Sequence, residues 1–94
     1  MRIVWDEEKN RGNRAKHGVG FELASLVFGD PLQMSDLDPC EGEERWRTLG
    51  LVNGVVILHV VHTVKEEENG EEEIRIVSAR KATQVERKAY EDRR

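Results

Sequence analysis

Two Asn-Gly pairs, Asn53-Gly54 and Asn69-Gly70, stand on either side of the most apolar stretch of the chain, Val55 to Val64. Asn-Gly is a favoured two-residue hairpin connection because both positions accept a positive φ. Bracketed in this way, the apolar stretch pairs backward with Arg45–Val52 and forward with Ile74–Arg80, both strand-like in content. The result is an antiparallel meander with Val55–Val64 in its centre. Lys65 to Glu73 forms the charged second turn.

The remaining elements are set around this meander. Ile3-Val4-Trp5 reads as a short strand. Asp6 caps a helix that carries Glu7 and Glu8 in its first turn and stops near His17, before Gly18. Phe21, Ala24, Val27 and Phe28 recur near helical spacing and predict a second helix to Phe28, ended by Gly29, Asp30 and Pro31. Leu32 to Ser35 reads as a short strand and Asp36 to Gly42, with Pro39, as a loop. Thr83 followed by Glu86 is a capping box, opening a last helix over about Gln84–Asp92. The order predicts an α+β sandwich, a twisted antiparallel sheet with helices packed on one face.

Ninety-four residues fit one domain, 1–94. Hydrophobic residues make up 37% and charged residues 36%, a lean core for which help from a partner subunit is plausible. Cys40 is the one cysteine, so no disulfide framework exists within the chain and a reducing cytoplasm is expected. The first residues lack the apolar run of a signal peptide, and no stretch is long enough to span a bilayer.

The net charge of −4 argues weakly against nucleic acid, but the charge is unevenly spread. Arg2 to His17 holds five Lys/Arg against three Asp/Glu, and Ile74 to Arg94 holds seven against three. An acidic chain can still present a basic face, although a solvated surface explains the same pattern.

Lys9, Asn13, Lys16 and His17 share one face of the first helix by their spacing, a set suited to phosphate or simply to water. In the last strand, strict alternation puts Ile74, Ile76, Ser78 and Arg80 on one side and Arg75, Val77, Ala79 and Lys81 on the other. Arginine in an apolar strand needs an anion, either a carboxylate such as Glu44 or Glu86 or a bound phosphate. His59 and His62 point to opposite faces, so at most one serves a given site, and His62 lies nearer the strand end. Cys40 has no ligand at zinc-like spacing, the acidic turn lacks calcium-loop spacing, and no nucleotide loop or serine elbow is present. No metal or cofactor is expected.

Three stretches together carry a resemblance: WDEEKNRGNRAKHGVGFELA from Trp5 to Ala24, GEERWRTLG from Gly42 to Gly50, and RIVSARKATQVERKAYE from Arg75 to Glu91. With VVHT at Val60–Thr63 between them, the chain resembles the BrnT family over nearly its whole length. Gly12, Gly20 and the long acidic turn around Asn69 depart from what that family needs. The resemblance implies a RelE-like fold and a toxin of a type II toxin–antitoxin pair. It also implies metal-independent RNA cleavage that arrests growth, and a BrnA-like ribbon–helix–helix antitoxin that carries the complex to operator DNA.

The resemblance implies roles as well. Arg45, Arg75 and Arg80 become phosphate clamps, His17 or His62 the base or acid, and Lys9, Lys16 and Lys81 added charge toward RNA. Tyr90 stacks on a base, donates a proton or packs as core. The alternative is a non-catalytic binding module that acts as co-repressor with a DNA-binding partner.

Overall fold

The structure is a computed structural model and describes residues 1–39 and 42–93. The Cys40 reading lies outside the described residues. The elements run β1 (Arg2–Val4), α1 (Glu7–His17), α2 (Phe21–Ala24), a 3-10 helix (Ser25–Gly29), β2 (Met34–Asp38), β3 (Arg45–Val52), β4 (Val56–Glu66), β5 (Glu72–Lys81) and α3 (Gln84–Asp92). The strands form one sheet in the order β1-β5-β4-β3-β2. All neighbours are antiparallel except β1 and β5, which are parallel. The chain is therefore α+β, as expected.

The first connection holds three residues rather than two, because Val52 pairs with Val56 and leaves Asn53, Gly54 and Val55 between the strands. Asn53 and Gly54 take φ of 54° and 68°, both in the left-handed region that Asn and Gly tolerate. The second turn is shorter than Lys65–Glu73. β4 continues to Glu66 and β5 begins at Glu72, because the Glu67 N–H reaches the Glu71 carbonyl at 2.8 Å. Arg2 neutralises part of the acid there by donating to Glu67 and Glu73.

Side chains of β4 leave the sheet alternately. Leu58 and Val60 point to one face and pack with Phe21, Ala24, Val27, Ile76 and Ala79, all buried. Burial of each large apolar side chain here contributes roughly 1.5–3 kcal/mol. α2 and the 3-10 helix cover this face. α3 takes the other side, where Glu86 meets His59 and Arg80.

Three local expectations are corrected. Phe21–Phe28 is not one α-helix but an α-turn that tightens into a 3-10 helix at Ser25. The Ser25 hydroxyl donates to the Glu22 carbonyl at 2.7 Å, competing with the backbone of the next turn. Asp36–Asp38 is not loop but edge strand, paired residue by residue with Arg45–Arg47, with Asp36 bonded to Arg47 at 3.0 and 3.2 Å. β5 does not alternate strictly. Val61 pairs with Ser78 and His62 with Ile76, which leaves Val77 as an extra, bulged residue.

α1 has almost no apolar stripe because it docks through amides. Asn13, 9% exposed, donates to the Val19 carbonyl at 2.9 Å and the Ala79 carbonyl at 2.8 Å, and accepts from the Ala79 N–H at 3.2 Å. Its side chain thus stands in for a neighbouring strand where β1 has stopped beside β5. Asn10 is fully buried and accepts from the Phe21 N–H at 2.8 Å.

Candidate functional site

The bulge at Val77 reorders the arginines. Downstream of it, Ala79 shares the helix-covered face with Val60, and Arg80 pairs with His59 on the other. Upstream, Ile74 and Ile76 are buried, and Arg75 pairs with Thr63 on the face of His59. Arg75 and Arg80 therefore share one face, which strict alternation would have denied them. On β3, Trp46 pairs with His62 and Arg47 with Val61, so Arg45 and Arg47 join the same face as Arg75 and Arg80.

This face reads as three rows across the sheet. One row runs Met34, Leu49, His59, Arg80. The next runs Asp36, Arg47, Val61, Ser78. The third holds Asp38 beside Arg45 and Thr63 beside Arg75. Rows stand two residues apart, about 6.6 Å.

Arg80 is anchored, with Nη1 and Nη2 donating to the two oxygens of Glu86 at 2.7 and 3.0 Å. The same carboxylate accepts from the Thr83 N–H at 2.8 Å, completing the expected capping box. Arg80 first, then the Thr83 amide, hold the Glu86 carboxyl down to about 2, against the cost of burial. His59 Nε2 lies 3.7 Å from Glu86. Burial first, and the Arg80 charge second, push the His59 imidazole below its ordinary value, with Glu86 opposing. His59 is thus a neutral imidazole at pH 7, set between two arginines and a carboxylate. Arg75 is different: its side chain is 53% exposed and approaches a carboxylate no nearer than Glu73 at 3.8 Å. Arg45 Nε is buried with no hydrogen-bond partner among the described residues.

His62 lies on the opposite, helix-covered face and is 3% exposed. Its Nε2 is 2.7 Å from the Thr48 hydroxyl, which is 2.7 Å from that of Ser35, and Phe28 meets its ring edge-on at 4.8 Å. It therefore stands apart from the arginine face; of the two strand histidines, the one on that face is His59, which the strand-end argument had set aside. Tyr90 is 1% exposed and donates to Asp30, which also accepts the Leu51 N–H. Of the three roles open to Tyr90, the core role is the one its burial permits. Lys9, Lys16 and His17 are exposed along α1, but Asn13, which the spacing grouped with them, is buried against Val19 and Ala79. Lys81 pairs with Leu58, on the helix side of β5.

Sequence reasoning missed Arg47 and His59 as members of the site. Two signals were present: Arg47 stands two residues from Arg45, and His59 has the parity opposite to the buried Leu58 and Val60. Among the described residues, no group of three or more His, Cys, Asp or Glu side chains is placed to hold a metal ion. Among them, too, no helix is long and apolar enough to cross a membrane.

Comparison with known proteins gives the arrangement a setting. A model of the family described as "Ribonuclease toxin, BrnT, of type II toxin-antitoxin system" matches residues 5–86. The crystal structure of the Brucella abortus ribonuclease toxin BrnT superposes with a TM-score of 0.63 at 33% sequence identity, covering 89% of this chain and 99% of that one. Among curated proteins, none matches. The matched span includes β3, β4, β5 and the Glu86 cap, and so nearly every residue of the arginine face. The chain belongs to the BrnT family of ribonuclease toxins of type II toxin–antitoxin systems.

Proposed function

We propose that this chain is a metal-independent, RelE-like endoribonuclease that works on the arginine face of its sheet, arrests growth, and is neutralised by a BrnA-like antitoxin. The observation that carries this reading is the bulge at Val77, which gathers Arg75 and Arg80 beside Arg45, Arg47 and His59.

In the proposed reaction the RNA 2′-hydroxyl attacks the adjacent phosphorus and the bond to the 5′-oxygen breaks. The products are a 2′,3′-cyclic phosphate and a 5′-hydroxyl. Neutral His59 takes the 2′-hydroxyl proton, Glu86 orients the imidazole and stabilises the imidazolium that forms, and a water molecule protonates the departing 5′-oxygen. Arg75 and Arg45 hold the phosphate oxygens as negative charge grows on them. Arginine suits this task because its fork meets two oxygens at once. Burial first keeps His59 deprotonated, and Arg80, already fixed by Glu86, adds its positive field in the same direction. Lys9, Lys16, His17 and Lys81 lie outside this cluster and serve as longer-range attraction for the RNA backbone. His62 supports the sheet from below through Thr48.

Arginines supply the charge that a metal would otherwise supply, so the reaction proceeds in chelator. The partner set follows the family: RNA as substrate, a ribbon–helix–helix antitoxin, and operator DNA reached through that antitoxin in a hetero-oligomer within the cytoplasm.

The test is induction of the wild-type chain in bacteria beside Arg75→Ala and His59→Asn variants, with growth and RNA integrity followed and folding checked by circular dichroism. Arrest with RNA loss in the wild type, and neither in the folded variants, supports the reading. Intact RNA with a folded wild-type chain overturns it in favour of a co-repressor without activity. Arrest that survives in folded Arg75→Ala and His59→Asn variants removes the site from this face.

A further inference from the structure

The arginine face ends against α3 in a groove of about 320 Å³ that the phosphate chemistry leaves unused. Its walls are Met34 and Leu49 from the sheet, and Val85 and Ala89 from α3. Val85 and Ala89 are exposed, an apolar pair held over water beside four charged groups. Arg47 forms one end of the groove. Its guanidinium is locked by Asp36 through two bonds, 3.0 and 3.2 Å, and so presents a fixed plane. His59 and Glu86 form the floor toward the arginine rows.

We infer that this groove is a nucleobase subsite, which takes one base of the RNA and sets where the chain cuts. The inference rests on the proposed ribonuclease reading and deepens it. A base is a flat, largely apolar plate with a polar edge. Apolar walls on two sides, a guanidinium plane at one end and carboxylates within reach match that plate: single-stranded bases stack on arginine planes and apolar side chains, and carboxylates accept from exocyclic amino groups. The groove opens onto the row of His59, so the base it holds belongs to a nucleotide whose phosphate meets the arginine rows. Stacking grows with ring area, so purines are favoured over pyrimidines.

Two variants change the groove without touching charge or core. Ala89→Leu fills it from an exposed helix position, and Val85→Ser strips one wall. The probe is a set of uniform oligoribonucleotides, each carrying a single different base at a central position, cut by the purified chain. The wild type is expected to cut next to purines several-fold faster, because the larger ring covers more of the apolar walls. Ala89→Leu should lose that preference by raising KM on the purine substrates, with the slow pyrimidine rate kept. Val85→Ser should lose part of it. A wild type that cuts all positions alike, or an Ala89→Leu chain that keeps the full preference, overturns the subsite and leaves the ribonuclease reading standing. A folded wild type that cuts none of the set overturns both.

Discussion

Glu86 grips Arg80 with both carboxylate oxygens, at 2.7 and 3.0 Å, from the first turn of the helix that it also caps. One side chain thereby fixes α3 to β5, charges the N-terminal end of the helix favourably and faces His59. Its folded pKa of about 2 lies below the ordinary 4.5. The stability it adds is therefore complete above pH 4.5 and is lost as pH falls through about 2. That contribution is on the order of 2 kcal/mol after allowance for the part of the carboxylate left in water. Glu86→Gln should cost about that much in urea unfolding at pH 7. It should also flatten the acid loss between pH 4.5 and about 2. A Glu86→Gln chain whose acid profile runs parallel to the wild type would show that other carboxylates carry the effect.

His59 should set the acid limb of the cleavage profile. As a base it works neutral, and burial with Arg80 beside it keeps it neutral below pH 6.5. Arg47 from β3 acts in the same direction, and Glu86 from α3 acts against it. kcat/KM should thus fall only at a pH below 6.5, and Glu86→Gln should move the fall to still lower pH by removing the one opposing charge. An acid limb that moves upward in that variant would contradict the assignment. The same depression has a stability consequence: the unfolded imidazole binds protons first, so the folded state loses stability as pH drops from 6.5.

The turns, the caps and the central strand were legible in the sequence because each is decided by neighbours in the chain. Asn53-Gly54 closes one hairpin, Asp6 accepts from the Glu8 and Lys9 amides at 2.8 and 3.2 Å, and Thr83 with Glu86 closes its box. The site was less legible because it depends on parity. One residue, Val77, bulges, and Arg75 changes face with respect to Arg80. No propensity marks Val77 as the extra residue, so strict alternation separated the two arginines, while His59 was passed over because His62 stands nearer the strand end. The edge strand Met34–Asp38 was hidden for a related reason: Asp is a poor strand former, and only Arg47 on the next strand makes Asp36 welcome there. His62 looked accessible at a strand end because Phe28, which covers it, lies far away in sequence.

Asn13 joins α1 to the sheet by two hydrogen bonds to Ala79 and one to Val19. Asn13→Ala leaves the Ala79 N–H and carbonyl buried without partners, since β1 does not extend that far. The expected cost is about 3 kcal/mol in urea unfolding. Amide hydrogen exchange should localise the damage, with protection at Ala79 lost before that at Val60. A cost under about 1 kcal/mol would mean that water enters and replaces the amide at no penalty.

Gly50 is set by packing rather than by backbone conformation. A Cβ built there would stand 2.7 Å from Val27 Cβ and 3.0 Å from Val27 Cα. The obstacle includes backbone, so it does not rotate away. Val27 is fully buried at the joint between the 3-10 helix and the sheet. Gly50→Ala should therefore push the 3-10 helix off β3 and destabilise the chain by roughly 1–3 kcal/mol, despite the better strand propensity of alanine. Trimming the neighbour tests the cause: Val27→Gly, which removes the Cβ at 2.7 Å, costs stability alone, but in the double variant Gly50→Ala should cost less than it does beside valine. If the two costs simply add, the clash with Val27 is not what requires glycine at this position.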